Sequence, residues 1–258
     1  MARFKLTIEY EGTRYSGWQI QKNARTVQGE LAAALRTVVG AGAGDLQGAG
    51  RTDAGVHALG QVAHLDAETM LAPEILRRRV NEELPADINI LEVEKTSPRF
   101  HARHDAVARS YLYQISRRRT ALGKRYVWWV KDRLDAEVMR RTGEFFLGMK
   151  DFRSFTADDP EEKSTRVEIQ GLETAEAGDL ILIRVKGSHF LWKMVRQMVG
   201  VMAEAGRGKM GKEEIAAMLK TRSARPARLT APPSGLFLER VTYRGDPQDH
   251  PLVPVIRI

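Results

Sequence analysis

At the start of the chain Phe4, Leu6, Ile8 and Tyr10 alternate with Lys5, Thr7 and Glu9, and a period of two puts the apolar set on one face of a strand. That face needs cover from another layer. Thr26 is placed to cap a helix on which Val27, Leu31, Ala34, Leu35 and Val38 share a face, ending in the glycines from Gly40. A short strand near Gln61 to Leu65 follows. Pro73 then suits the first position of a helix with Leu76, Val80 and Leu84 in line, closed by Pro85, and Ile88 to Val93 reads as the returning strand.

The second half runs through similar elements. Tyr111, Tyr113 and Ile115 alternate on a strand, Asp135 caps a helix ending at Gly148, and Val167 to Leu172 and Leu180 to Lys186 pair around Gly178. Leu191 to Ala205 is the strongest helix, with Met194, Val195, Met198, Val199 and Met202 as its apolar stripe. A methionine-rich stripe at this spacing is ordinary core. Ile215 to Leu219 adds a short helix and Leu236 to Tyr243 a last strand. The pattern is α+β, with two sheet-based halves built like split β-α-β units and a boundary near residue 105. The expected domains are 1–105, 106–245 and an extended tail over 246–258 that carries Pro247, Pro251 and Pro254 and need not belong to either core.

Composition narrows the function classes. Lys and Arg number 41 against 33 Asp and Glu, a formal charge of +8 that favours a polyanionic partner. With no cysteine in 258 residues, disulfides, thiolate metal sites and cysteine nucleophiles are all excluded. The chain reads as cytoplasmic, without an apolar run near the roughly 20 residues of a membrane helix and without a signal peptide at its start.

The densest unusual stretch is GAGRTDAGVHALGQ, residues 48–61. Its glycines free the backbone for tight turns, while Arg51, Asp53 and His57 place a cation, a carboxylate and an imidazole within seven residues. A tight turn in which Asp53 merely caps or pairs with Arg51 accounts for the same residues. The preceding run GAGAGDLQGAG, 40–50, is no dinucleotide fingerprint, because Gln47 stands where a glycine is needed and the run follows a helix. No phosphate-cradling GxxxxGK[ST] run appears. His101 and His104 lie among Arg99, Arg103 and Arg109, a field hostile to a divalent cation. No metal or cofactor is expected.

These residues resemble a family. GAGRTDAGVHA at 48–58 looks like the signature loop of the TruA-type tRNA pseudouridine synthases. The likeness continues through EYEGTRYSGWQIQ at 9–21, TVQGELAAAL at 26–35, NEELPADI at 81–88, FHARHDAVARSYLY at 100–113, DFRSF at 151–155, FLWKMVRQMVG at 190–200 and GLFLERVTY at 235–243, in order and spacing. Ser110 and Leu112 depart from the tyrosine block, and the acidic loop 158–165, DDPEEKST, is short.

The resemblance implies a fold of two RRM-like, sheet-containing halves flanking a central cleft. It implies conversion of uridine to pseudouridine at positions 38, 39 and 40 of the tRNA anticodon stem-loop, without metal or cofactor, by a homodimer that lays one tRNA across both subunits. Asp53 matches the catalytic aspartate. Arg196 matches an arginine that would favour the ionised carboxylate; it lies off the helix stripe, and Gly200 one turn later would let another backbone come near. A solvated surface arginine is the alternative. Tyr111 matches the tyrosine that packs on the target base and is a candidate for handling the C5 proton, or else fills the core beside Tyr113. Arg51 matches the arginine that helps extrude the nucleotide, and His57 belongs to the same motif with a role that can be structural. Arg77 to Arg79, Arg99, Arg103, Arg109 and Arg117 to Arg119 are candidate phosphate contacts. Trp18, Trp128 and Trp129 read as core or interface anchors. A module that binds or folds RNA without catalysis, and a glycosidase lacking an evident second acid, are the competing readings.

Overall fold

The computed structural model describes residues 1–159, 164–247 and 250–257. In chain order these form β1 (Ala2–Tyr10), α1 (Val27–Val39), β2 (Ala43–Gly48), β3 (His57–Ala67), α2 (Pro73–Glu83), β4 (Ile88–Thr96), β5 (Ala106–Ser116), β6 (Trp128–Trp129), α3 (Ala136–Glu144), β7 (Gly148–Asp151), β8 (Arg166–Ala177), β9 (Leu180–Gly187), α4 (Met194–Gly206), α5 (Lys212–Lys220), α6 (Arg225–Arg228) and β10 (Leu236–Tyr243). The class is α+β. Contacts divide the chain into two compact units, Met1–Val107 with Phe237–Asp246, and Ala108–Leu236 with Pro247–Ile258. The final strand, which sequence order puts in the second half, thus packs with the first.

In the first unit β1 runs antiparallel to both β4 and β3, β2 pairs with β3, and β10 adds to β3 in parallel, Phe237 opposite His57 and Leu238 opposite Ala58. The alternation seen in β1 is realised: Phe4, Leu6, Ile8 and Tyr10 are buried. Leu31 and Leu35 of α1 and Leu76 and Val80 of α2 are buried with them, each such side chain contributing roughly 1.5–3 kcal/mol by leaving water. Thr26 caps α1 by accepting the Gly29 N–H, and Pro73 opens α2. Strand β3 is longer than the short strand expected, because β1 and β2 both pair with it and eight of its eleven residues are buried. Toward its start the register with β1 shifts, Ile8 facing Gln61 but Tyr10 facing Ala58. Three residues of β3 then span two of β1, a bulge that bends the strand where the 48–61 loop rejoins it.

In the second unit the antiparallel order is β5-β9-β8-β7, with β6 parallel on β5. Ala177 pairs with Leu180 around Gly178, whose φ of 62° closes the tight turn. Asp135 caps α3 through the Val138 N–H at 3.0 Å. Helix α4 begins at Met194 instead of Leu191 because Lys193 sits at φ 61°, a left-handed residue that ends the preceding turn. The tail's described residues 250–257 hold no helix or strand and are not peripheral: Arg184 on β9, 4% exposed, donates to the carbonyls of His250 at 3.0 Å and Pro251 at 2.9 Å, and the Val255 N–H donates to Gln114 on β5 at 2.7 Å. These bonds bind the tail to the second unit's sheet.

Candidate active site

In the first unit the glycine-rich loop is clamped from below. Gln61, fully buried at the bulge, donates to the Gly50 carbonyl at 2.9 Å, and the Ala49 N–H donates to the Val62 carbonyl at 2.7 Å. Thr52 is buried, its hydroxyl 2.7 Å from that of Tyr10. Burial pushes the Tyr10 phenol well up, so it stays neutral. The Trp18 N–H donates to the Thr52 carbonyl at 3.1 Å. Asp53 then opens a β-turn, its carbonyl accepting the Val56 N–H at 3.1 Å, with Gly55 at φ 78° in the third position. A Cβ on Gly12 would collide with the Val56 carbonyl, so only glycine lets the 9–21 segment lie against this turn. Thr52 and Val56 are thereby locked inward while Arg51 is exposed and Asp53 half-buried.

His57 has a packing place. It is 1% exposed, its ring stacks on Phe237 with centroids 4.8 Å apart, and its Nδ1 accepts the Gly12 N–H at 3.0 Å. With Nδ1 an acceptor, the neutral ring carries its proton on Nε2. The Glu11 carboxylate 3.6 Å from Nδ1 is then no ion pair, and it accepts instead from the Thr13 N–H at 3.2 Å. His57 braces the segment that seats the Asp53 turn.

Arg51 is oriented by residues that the sequence reading passed over. Its Nε donates to Gln19 Oε1 at 3.2 Å, Gln19 donates to Gln28 at 2.8 Å, and buried Gln28 donates to the Leu46 carbonyl at 2.7 Å. The available signal was a glutamine on the inward side of α1, next to Val27 and one turn before Leu31, where an unpartnered amide would be costly.

In the second unit Tyr111 lies on β5 opposite Val185, 9% exposed, with Phe190 edge-on to its ring at 5.1 Å. Tyr113, two residues on and facing the same side, is fully buried and donates to the Pro232 carbonyl at 2.8 Å. Burial pushes its phenol up, opposed by the charge of Arg196. Arg196 is half-buried instead of freely solvated: its Nε donates to the Ala231 carbonyl at 2.7 Å, and the Ala231 N–H returns a bond to the Arg196 carbonyl at 3.0 Å. The close approach expected at Gly200 is present, with the Leu229 carbonyl in the space a Cβ would need. Asp158 accepts the Trp192 N–H at 3.2 Å; residues 160–163 of the acidic loop lie outside the described residues.

Several of the basic candidates meet carboxylates of their own. Arg77 pairs with Glu74, Arg78 with Glu82, Arg117 with Glu176 and Arg118 with Asp179, while Arg109 donates to the Ser188 carbonyl at 3.0 Å. His101 packs between His64 and His104 at 4.7 and 4.2 Å. Among the described residues no three His, Cys, Asp or Glu side chains form a metal-holding group, and no helix is long and apolar enough to cross a membrane.

The glycine-rich loop of this α+β chain thus presents a half-buried aspartate two residues from an oriented arginine. The sequence profile of the tRNA pseudouridine synthases matches residues 6–105 and 144–244. The chain belongs to this family, isomerases that convert uridine to pseudouridine in tRNA. It is similar to tRNA pseudouridine synthase A of Rhodopseudomonas palustris (strain BisA53), 41% identical over 94% of this chain and 100% of that one. It is equally similar to tRNA pseudouridine synthase A of Brucella ovis (strain ATCC 25840 / 63/290 / NCTC 10512), 41% identical over 94% of this chain and 98% of that one. A chain in the crystal structure of a Cbf5-Nop10-Gar1 complex aligns over 77% of this chain and 54% of that one, at 11% identity and a TM-score of 0.34, a likeness that carries no argument.

Proposed function

We propose that the chain isomerises uridine at positions 38, 39 and 40 of the tRNA anticodon stem-loop, with Asp53 as the essential carboxylate. The observation that carries this reading is the way the loop is locked around Asp53, with Thr52 and Val56 turned inward and Asp53 left half-buried at the head of its turn. The reaction breaks the N1–C1′ bond, turns the base, and joins C5 to C1′; C5 gives up its proton and N1 gains one. Atoms and electrons balance without another reagent. What the reaction needs is a carboxylate to attack or deprotonate the nucleoside and a group to receive the C5 proton.

In this reading Tyr111 packs on the base and is a candidate for the C5 proton, Arg196 is a substrate-binding cation, and Arg51 helps expose a uridine that is unreachable while stacked in a stem. His57 is a positioning residue, since its ring is buried and bonded to Gly12. The active form is a homodimer in the cytoplasm, one tRNA lying across both subunits. The test is incubation with unmodified tRNA and mapping of the product, comparing the unaltered protein with Asp53→Ala. The variant should lose pseudouridine formation and keep tRNA binding. Full activity in it would sink the mechanism, and modification confined to another arm of the tRNA would overturn the substrate position.

A further inference from the structure

The loop joining β5 to β6 encloses a cleft of about 630 Å³ lined by Arg119, Thr120, Ala121, Lys124, Val127 and Trp129. From Arg117 to Lys131 the chain carries six cations and no carboxylate. The three consecutive arginines are not equivalent. Arg117 is engaged by Glu176 and the Gly178 carbonyl, and Arg118 by Asp179 at 2.9 Å. Arg119 has no carboxylate within ion-pair distance among the described residues; its guanidinium lies over the Trp129 ring, 5.9 Å from the centroid. Stacking of that kind orients a guanidinium without using its N–H donors. Lys124 is likewise exposed and without a carboxylate partner among the described residues.

The cleft is built in advance of any partner. The Gly123 N–H donates to the Thr120 hydroxyl at 3.3 Å, the Tyr126 N–H to the Gly123 carbonyl at 2.9 Å, and Gln114 to the Tyr126 carbonyl at 2.9 Å. Trp129 is held by β6, opposite Ser116, yet is 42% exposed. Of the two roles its sequence suggests, core or interface anchor, that exposure removes the first. A ring left half in water beneath a cation is explained by what the cation faces. One stacked and one exposed cation, neither with a carboxylate partner among the described residues, on a preformed loop match a polyanion backbone better than a protein surface, whose cations would need acids in return. Five residues of strand separate Tyr111 from Ser116, roughly 17 Å at 3.3 Å per residue, so a strand held here lies away from any base on Tyr111.

We propose that this cleft holds the phosphate backbone of the substrate tRNA several nucleotides from the reacting uridine, with Arg119 and Lys124 as the contacts and Trp129 as the positioning residue for Arg119. The proposal rests on the reading of the substrate as tRNA given above. Steady-state kinetics and salt-dependent binding with unmodified tRNA test it in the full chain. Replacing both cations, Arg119→Ala with Lys124→Ala, should raise KM about tenfold, change kcat at saturation less than about twofold, and lower the slope of log affinity against log salt by roughly one per cation. Trp129→Ala should shift KM the same way, and Trp129→Phe should restore it because a phenyl face still stacks the guanidinium. An unchanged KM and salt slope in the double variant would overturn the proposal, as would a fall in kcat alone. Equal losses in Trp129→Ala and Trp129→Phe would remove the positioning role. If the unaltered protein binds tRNA but forms no pseudouridine, the proposed function fails, while the binding arm still decides the cleft.

Discussion

The carbonyl oxygen of Leu229 occupies the space that a side chain on Gly200 would need. This approach sets the segment leading to Ala231, whose carbonyl holds the Arg196 guanidinium at 2.7 Å. Gly200→Ala forces backbone apart inside a packed helix face and should cost about 3 kcal/mol, read as a lower denaturant midpoint. Pseudouridine formation should fall further than stability does, because the displaced segment leads to the Ala231 carbonyl that orients Arg196. An unaltered midpoint would show that the segment yields freely.

The glutamine relay behind Arg51 separates positioning from stability. Gln28→Ala leaves the Leu46 carbonyl and the Ile20 N–H without their partner and should destabilise by about 1–3 kcal/mol. Gln19→Ala removes the link to Arg51 and one of two bonds to Gln28 Oε1, which keeps the Ile20 N–H, and should leave the thermal midpoint nearly in place while slowing turnover on tRNA. Turnover equal to that of the unaltered protein would mean that Arg51 needs no such support.

The imidazole stack makes stability pH-dependent. Burial, then the charge of Arg3 and neighbouring His101, lowers the affinity of His64 for a proton; burial and His104 do the same to His101. His64 also accepts the Ala102 N–H on Nδ1 at 3.1 Å, a bond that protonation removes. The unfolded chain therefore binds protons below about pH 6.5 that the folded chain resists. Stability should be full above that pH and decline as pH falls through it, and His64→Gln should flatten a thermal-midpoint profile taken between about pH 7.5 and 5. Asp66, held down by Arg3, adds its own loss only at lower pH, as acid passes its ordinary value of 3.8.

Arg184 binds the C-terminal tail, so Arg184→Met should release it. Loss of two charge-assisted bonds to the His250 and Pro251 carbonyls should cost about 2–4 kcal/mol and expose the tail to limited proteolysis. Mass spectrometry of the first fragments reads the site of cutting. Cutting elsewhere first would show that the Val255 to Gln114 bond suffices.

Most of what is local in this fold is legible from the residues. Thr26, Pro73 and Asp135 mark helix starts because each satisfies or avoids an unpaired N–H at its own position. The alternation in β1 marks its buried face. What fails is what depends on distant partners. Strand β2 hides among glycines and exists because β3 offers an edge to pair with. The membership of β10 is decided by His57, some 180 residues earlier in the chain. Likewise the 48–61 loop declares its chemistry through Arg51 and Asp53, whereas Gln19, Gln28 and Gln61, which hold it, look like ordinary polar residues until their partners are known. Whether a cation of the arginine runs is available also depends on which acid folds back onto it, as Arg117 and Arg119 show.

The pairing of β10 with β3 has a consequence for synthesis. Phe237, which closes over the His57 ring, leaves the ribosome 180 residues after that histidine. The loop bearing Asp53 therefore waits, without its last supporting strand, until β10 emerges, and contacts so far apart in sequence are slow to close. Premature termination should yield a nascent protein that has every residue of the loop and no lasting shape for it.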